Sequence, residues 1–253
     1  AYTESGQDEK AVEVYRLSLA DDPYDAETHN WLGIALENLG LREAAIESYG
    51  KAIGMDPVYE KALYNRGMAL NQTGNFPASI EDFTAVVNMN SPVSQRARMQ
   101  RKWAYQSLMV EIQETHTGNE TVVSVGQSGT ALNRLDELIR RNPKEPDSYY
   151  YRGIAAASSG RYEEAIEDFS KAIGLGFEEV NVLYDRGRSY LLACNKGGSR
   201  DYLDWAIADL TNSLQFEDLG AEERLYILSL RESAQIRLSQ LESPNQIKGG
   251  SQS

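Results

Sequence analysis

The chain has 253 residues, 41% of them apolar and 25% charged, and its 38 acidic against 25 basic side chains leave a net charge of −13. That composition excludes a disordered or membrane-embedded class, and a field of that sign repels phosphate backbones and anionic lipid, so nucleic acid is not an expected partner and no membrane insertion is expected. The one cysteine, Cys194, excludes an intramolecular disulfide and a cysteine-built zinc cluster.

In chain order, residues 1–25 read as the second part of a repeat. AYTESG matches ALENLG (35–40) and ALNQTG (69–74), and Ala11, Tyr15 and Pro23 continue a second-helix pattern. Ala1 thus falls inside a first helix, from which an upstream extension is expected; a short frayed half-repeat is the alternative. Residues 26–59 and 60–93 superpose with a period of 34: Gly33 on Gly67, Ala35-Leu36 on Ala69-Leu70, Gly40 on Gly74, Tyr49 on Phe83. Each carries two apolar stripes at helical spacing, as in Leu32, Ala35, Leu36, Leu39 and then Ala45, Ile46, Tyr49, Ala52, Ile53. Gly40 lies between the stripes, where a tight turn favours a residue tolerant of positive φ. Pro57 follows the second stripe, where a helix stops. Each repeat is therefore a predicted helical hairpin, with Gly33, Gly67, Gly153 and Gly187 letting two helix backbones approach.

Residues 94–145 form an expanded repeat of 52 residues, 18 more than the period. It opens on a long helix from Ser94 to about Thr115, passes through a polar loop at 116–130, and returns to the second-helix pattern at Ala131, Leu135 and Leu138. Residues 146–179 repeat the pattern through Gly153, Gly160, Ala165, Phe169 and Ala172. Residues 180–220 do so through Gly187, Tyr190, Ala206 and Leu210, with an insertion near NKGGSRD (195–201). Residues 221–242 form one more amphipathic helix, with Leu225, Leu228 and Leu241 as its apolar side, that covers the end of the stack. The tail, 243–253, is polar and Gly/Ser-rich and reads as disordered. A lone hairpin cannot bury both of its stripes, so neighbours must stack, and the predicted fold is an all-α, right-handed α-solenoid of stacked helical hairpins.

No catalytic, metal or cofactor motif stands out. There is no HExxH, GxxxxGK or G-x-S-x-G elbow, and the two histidines, His29 and His116, lie in different repeats. No enzyme activity and no cofactor are expected, and Cys194 reads as a small core residue. Arg66, Arg152 and Arg186 each precede the packing glycine, and the same three repeats carry Asp82, Asp168 and Asp209 in the second helix. The repeat with Leu32 in place of arginine has Ser48 in place of aspartate. The two positions vary together, which predicts a structural Arg–Asp bridge inside each hairpin; an anion site built of three arginines is the alternative.

Leu32-Gly33, Leu36, Ala45, Tyr49 and Pro57, then Gly153, Ala165 and Phe169, then Gly187, Tyr190 and Ala206 carry a resemblance to the tetratricopeptide repeat family over roughly residues 1–220. The departures are Ser79 at an alanine position, arginine for leucine in three repeats, and the two insertions. The resemblance implies a superhelix whose first helices line a concave groove for a peptide or helical segment of a partner protein. The residues it places there are Asn30, Ile34, Tyr64, Met68, Asn71, Arg98, Arg101, Lys102, Tyr150, Ile154, Tyr184 and Arg188. Tyr64, Tyr150 and Tyr184 are equivalent and form either an aromatic ladder in the groove or packing between hairpins. The chaperone-tail clamp of some members needs lysine, asparagine and arginine where this chain has Asn30, Ile34, Gln95 and Met99, so that specificity is not implied. The basic cluster Arg96, Arg98, Arg101 and Lys102, in an acidic chain, reads either as a solvated helix face with salt bridges or as a place to receive a carboxylate or an acidic segment. A regulatory or targeting domain of a larger polypeptide, and self-assembly through the N-terminal half-repeat, are the other roles the pattern allows. The lack of an export signal favours the cytoplasm.

Overall fold

Gly40, Gly74 and Gly160, which separate paired stripes in the sequence, sit at φ 78°, 77° and 73° in the computed structural model. In each case the residue after the glycine donates its N–H back to a carbonyl five residues earlier: Leu41 to Leu36, Asn75 to Leu70 and Arg161 to Ala156, all at 2.9 Å. This is the αL closure that satisfies the last carbonyls of a helix and turns the chain back on itself. Helix starts are set as locally. Asp25 accepts from the Glu27 N–H at the first turn of its helix, and Pro146 occupies the first turn of another, where its missing donor costs nothing.

The structure describes residues 7–110, 125–177, 180–217 and 219–242. Those residues form twelve α-helices, and no strand occurs among them. The chain divides into two units, Ala1–Thr115 and His116–Ser253. The N-terminal unit holds α1 (Asp8–Asp21), α2 (Ala26–Asn38), α3 (Arg42–Met55), α4 (Glu60–Gln72), α5 (Phe76–Asn88) and α6 (Ser94–Val110). The C-terminal unit holds α7 (Val125–Arg141), α8 (Pro146–Ser158), α9 (Tyr162–Gly174), α10 (Val180–Asn195), α11 (Asp201–Ser213) and α12 (Ala221–Glu242). Within each unit every helix packs on the next, and the first helices of successive hairpins also touch, α2 on α4, α4 on α6, α8 on α10. Each unit is thus an all-α solenoid segment of antiparallel hairpins.

The stripes read from the sequence are the cores. Ala11, Leu32, Ala35, Leu36, Ala45 and Tyr49 form one cluster in the N-terminal unit, and Leu63, Phe83, Val86 and Ala97 another. Leu191, Leu203, Ala206, Leu210, Ile227 and Ala234 form one in the C-terminal unit, with Cys194 packed against it. The packing glycines answer to a different neighbour from the one expected. A Cβ at Gly33 would lie 2.4 Å from the Tyr49 ring, at Gly67 2.9 Å from Phe83, and at Gly153 2.6 Å from Phe169. At these three positions the glycine makes room for the aromatic ring of the second helix, not for its backbone, and at Gly187 the neighbour is the Leu210 side chain, 3.0 Å away.

Two further expectations change. Helix α7 begins at Val125, inside the segment read as a loop: no proline interrupts the stretch upstream of the Ala131 stripe, and Gly126 and Gly129, although unfavourable in a helix, do not end it; residues 111–124 lie outside the described residues, as do 1–6 and 243–253. Helix α12 turns Ile227, Leu230, Ala234 and Leu238 inward and leaves Leu225 (67%) and Leu241 (53%) exposed. Those four inward residues recur at three- and four-residue steps and make one stripe, which Leu225, Leu228 and Leu241 do not.

Candidate partner-binding face

In the N-terminal unit, α2, α4 and α6 lie side by side as the first helices of successive hairpins. Asn65 Nδ2 donates to Asn30 Oδ1 at 3.1 Å and ties α4 to α2. Asn30 is 2% exposed and is spent on that bond, so its assignment to a partner contact is corrected. Asn71 is buried too. It accepts from Ser79 Oγ inside its own hairpin, the polar pair standing where Ala would otherwise pack, and it is not a groove contact. Ile34 is half-buried against the first core cluster. Tyr64 is half-buried, edge-on to Phe83 with centroids 5.7 Å apart, and packs with half-buried Met68 on the second cluster. These placements follow from α4 being sandwiched between two hairpins, which leaves only the outer arc of each first helix open.

Helix α6 divides its basic residues. Arg101 is buried and donates from Nη1 to Thr84 Oγ1 of α5 at 3.2 Å, which removes it from the face. Arg96, Arg98 and Lys102 are exposed. Between them stand two residues that the sequence reading did not place in the groove: Met99, 68% exposed, and Trp103, 48% exposed and supported edge-on by Phe76 at 5.8 Å. Their one-turn spacing inside a basic run was the available signal.

In the C-terminal unit the face is more closed. Tyr150 is buried, its hydroxyl donates to Asp185 of α10 at 2.9 Å, and its ring stacks on Phe177 at 4.5 Å and 21°. It packs between hairpins, the alternative to a ladder rung, because the next repeat offers a carboxylate and a ring to hold it. Ile154 is half-buried and Arg188 exposed. Tyr184 is half-buried beside Tyr226 of α12, and burial first of all pushes its hydroxyl pKa up to about 12.

The arginines next to the packing glycines are filled by their own hairpins. Arg66 Nε and Nη2 donate to Asp82 at 2.8 and 2.7 Å, Arg152 to Asp168 at 2.8 and 2.6 Å, and Arg186 to Asp209 at 2.7 and 2.8 Å. Each is a two-bond fork between first and second helix. Those hydrogen bonds raise all three arginines above their ordinary value, and Asp82 is itself raised because burial outweighs its partner. With each fork closed on a carboxylate, the three do not make an anion site. The remaining Nη1 atoms of two also bond within their unit, Arg152 to Asp136 and Arg186 to Ser170.

Asp185 gives the Tyr150 contact a pH dependence. Burial raises its carboxyl from 3.8 to about 6, against the lowering effects of the Tyr150 hydroxyl and the Arg188 charge. A carboxyl with a raised folded pKa contributes stability that is complete below the unfolded value and lost as pH rises through about 6. Relative to Asp185→Asn, the native chain is expected to gain on the order of 1 kcal/mol between pH 7 and pH 5. Urea midpoints of the two proteins across that range measure it, and a pH-independent difference between them refutes it.

A sequence model described as "Tetratricopeptide repeat" matches residues 31–94 and 122–176, and one described as "TPR repeat" matches residues 1–40. Among solved structures, MamA is 24% identical over 69% of this chain and 91% of its own, with a TM-score of 0.40. A thermophilic TPR protein of Thermus thermophilus is 22% identical over 84% and 100%, at 0.37. YrrB, described as a TPR protein with an unusual peptide-binding site, is 18% identical over 87% and 99%, at 0.40. No curated protein matches the chain.

Proposed function

Since the chain belongs to the tetratricopeptide-repeat family, we propose that it is a non-catalytic scaffold that holds an extended or helical segment of a partner protein against the α2–α4–α6 face of its N-terminal unit. The observation that carries the proposal is the pairing of open apolar side chains with a fixed backbone. Half-buried Met68 stands on a helix locked by the Asn65–Asn30 bond and the Arg66–Asp82 fork, and exposed Met99 and Trp103 stand on one tied to α5 by the Arg101–Thr84 bond. A preformed face loses little conformational entropy on its own side when a segment docks. Apolar anchors beside exposed cations then supply both contact area and orientation.

The expected result is read by photo-crosslinking in cells. A benzophenone side chain at Met68 or Met99 captures a discrete partner, and the same group at Lys51, on the solvent side of α3, captures none of it. Capture of the same partner from Lys51 and not from Met99 overturns the assignment of the face.

A further inference from the structure

We infer that the occupant of the α6 end of this face is an acidic segment of a partner protein that presents apolar side chains one helical turn apart, flanked by aspartate or glutamate. The inference rests on the scaffold reading and adds the chemistry of the partner. It begins from a contrast of charge. The chain carries −13 overall, yet Ser94–Val110 holds four basic residues and no acidic one. Helical geometry sorts that run. Ala97, Arg101, Ala104, Tyr105 and Leu108 are buried, and the opposite side of α6 is exposed. At 100° per residue, Met99 falls near the middle of the exposed arc and Trp103 close beside Arg96 at one edge, with Lys102 and Arg98 on the other flank, the whole arc spanning roughly 160°. An apolar pair bordered on both sides by cations is the complement of an amphipathic acidic strip.

The pieces are in working condition. Arg96 and Arg98 make no salt bridge among the described residues, so docking displaces no partner of theirs there. Trp103 is propped by Phe76, which fixes its ring while leaving about half of it open. A basic or neutral segment would leave the guanidinium groups facing like charge or nothing, whereas an acidic one pairs with them and buries Met99 and Trp103 in the same step. Long-range repulsion from the rest of the acidic chain works against an acidic guest, and for that reason the attraction must be local to α6 and the apolar anchors must supply part of the affinity.

The test is selection of random linear peptides displayed on phage against the full chain, repeated with Arg96→Glu/Arg98→Glu and with Met99→Ala/Trp103→Ala. All four side chains are exposed, and circular dichroism of each variant checks that helix content is kept. The native chain is expected to enrich peptides with apolar residues at i and i+4 amid Asp and Glu. Their binding weakens with salt and drops about tenfold or more in each double variant, with the salt dependence shrinking only in the charge-reversed one. Peptides that are selected but neutral or basic, or an acidic consensus that survives Arg96→Glu/Arg98→Glu, overturn this inference and leave the scaffold reading standing. Failure of every variant and the native chain to select any peptide, together with no crosslink at Met99, defeats both. Binding to phosphatidylserine vesicles that is lost on charge reversal, with no acidic peptide enriched, assigns the surface to a membrane and also overturns it.

Discussion

Gly33→Ala is expected to destabilise the N-terminal unit by about 2–3 kcal/mol, although alanine is favoured over glycine in a helix by roughly 1 kcal/mol. The new methyl would stand 2.4 Å from Tyr49 Cε1. The ring has no easy escape. Tyr49 is fully buried, and its hydroxyl donates to Glu37 at 2.9 Å, so the side chain is held along its body and at its tip. Close-packed interiors accommodate an added carbon only by moving neighbours off their rotamers. Gly54→Ala is the control, since a Cβ there meets nothing within 4 Å and α3 should simply gain helix propensity. Urea denaturation followed at 222 nm separates the two signs. Tyr49→Leu in the Gly33→Ala background should restore part of the loss by withdrawing the ring. If Gly33→Ala stabilises the chain as Gly54→Ala does, the ring is not seated on the glycine.

What the sequence disclosed depended on how local the cause was. The helix ends were readable because a glycine at positive φ and the back-donated bond that follows it involve six residues. Hairpin stacking was readable because one chain carries the same stripes several times over. The identity of the glycine's neighbour was not, because spacing says that Gly33 and Tyr49 recur together and not which atom lies over which.

The face was harder to read, for a reason visible in one register. Asn65 bonds Asn30, and Tyr150 bonds Asp185, each across 35 residues. Both couple a first helix to the next first helix at the same place in the repeat. The equivalent pair in between is Tyr64 and Met99, which offers no such strong acceptor, so Tyr64 stays half-buried and Met99 stays open. Tyr64 and Tyr150, which look alike in the pattern, therefore have surroundings decided by a residue in the following repeat. Arg101 was misplaced for a related reason: it stands where the other repeats keep the packing glycine or its partner surface, a position the helix turns inward, so a basic cluster counted along the sequence overstates the charge on the face.

Removing one half of an Arg–Asp fork should cost more than removing both. Asp82 is 4% exposed and Arg66 27%, so solvent reaches the guanidinium better than the carboxylate. Asp82→Ser then leaves a cation that can turn toward water, at about 2 kcal/mol, whereas Arg66→Leu strands a buried carboxyl, at about 3 kcal/mol near neutral pH. The second loss should fall as pH drops, because Asp82 is already raised by burial and, without Arg66, takes up a proton more readily still. The double variant Arg66→Leu/Asp82→Ser should be close to native, since the first repeat is built that way, with Leu32 and Ser48 both buried at the same two places. A double-mutant cycle on urea midpoints would then give a coupling of about 2 kcal/mol or more. Additive losses would mean that the fork seen between α4 and α5 contributes geometry without energy. The sign of the coupling matters beyond stability, because α4 carries Met68 and the bond to Asn30, and the fork is what fixes the rotation of α4 against α5 and so the direction in which that face looks.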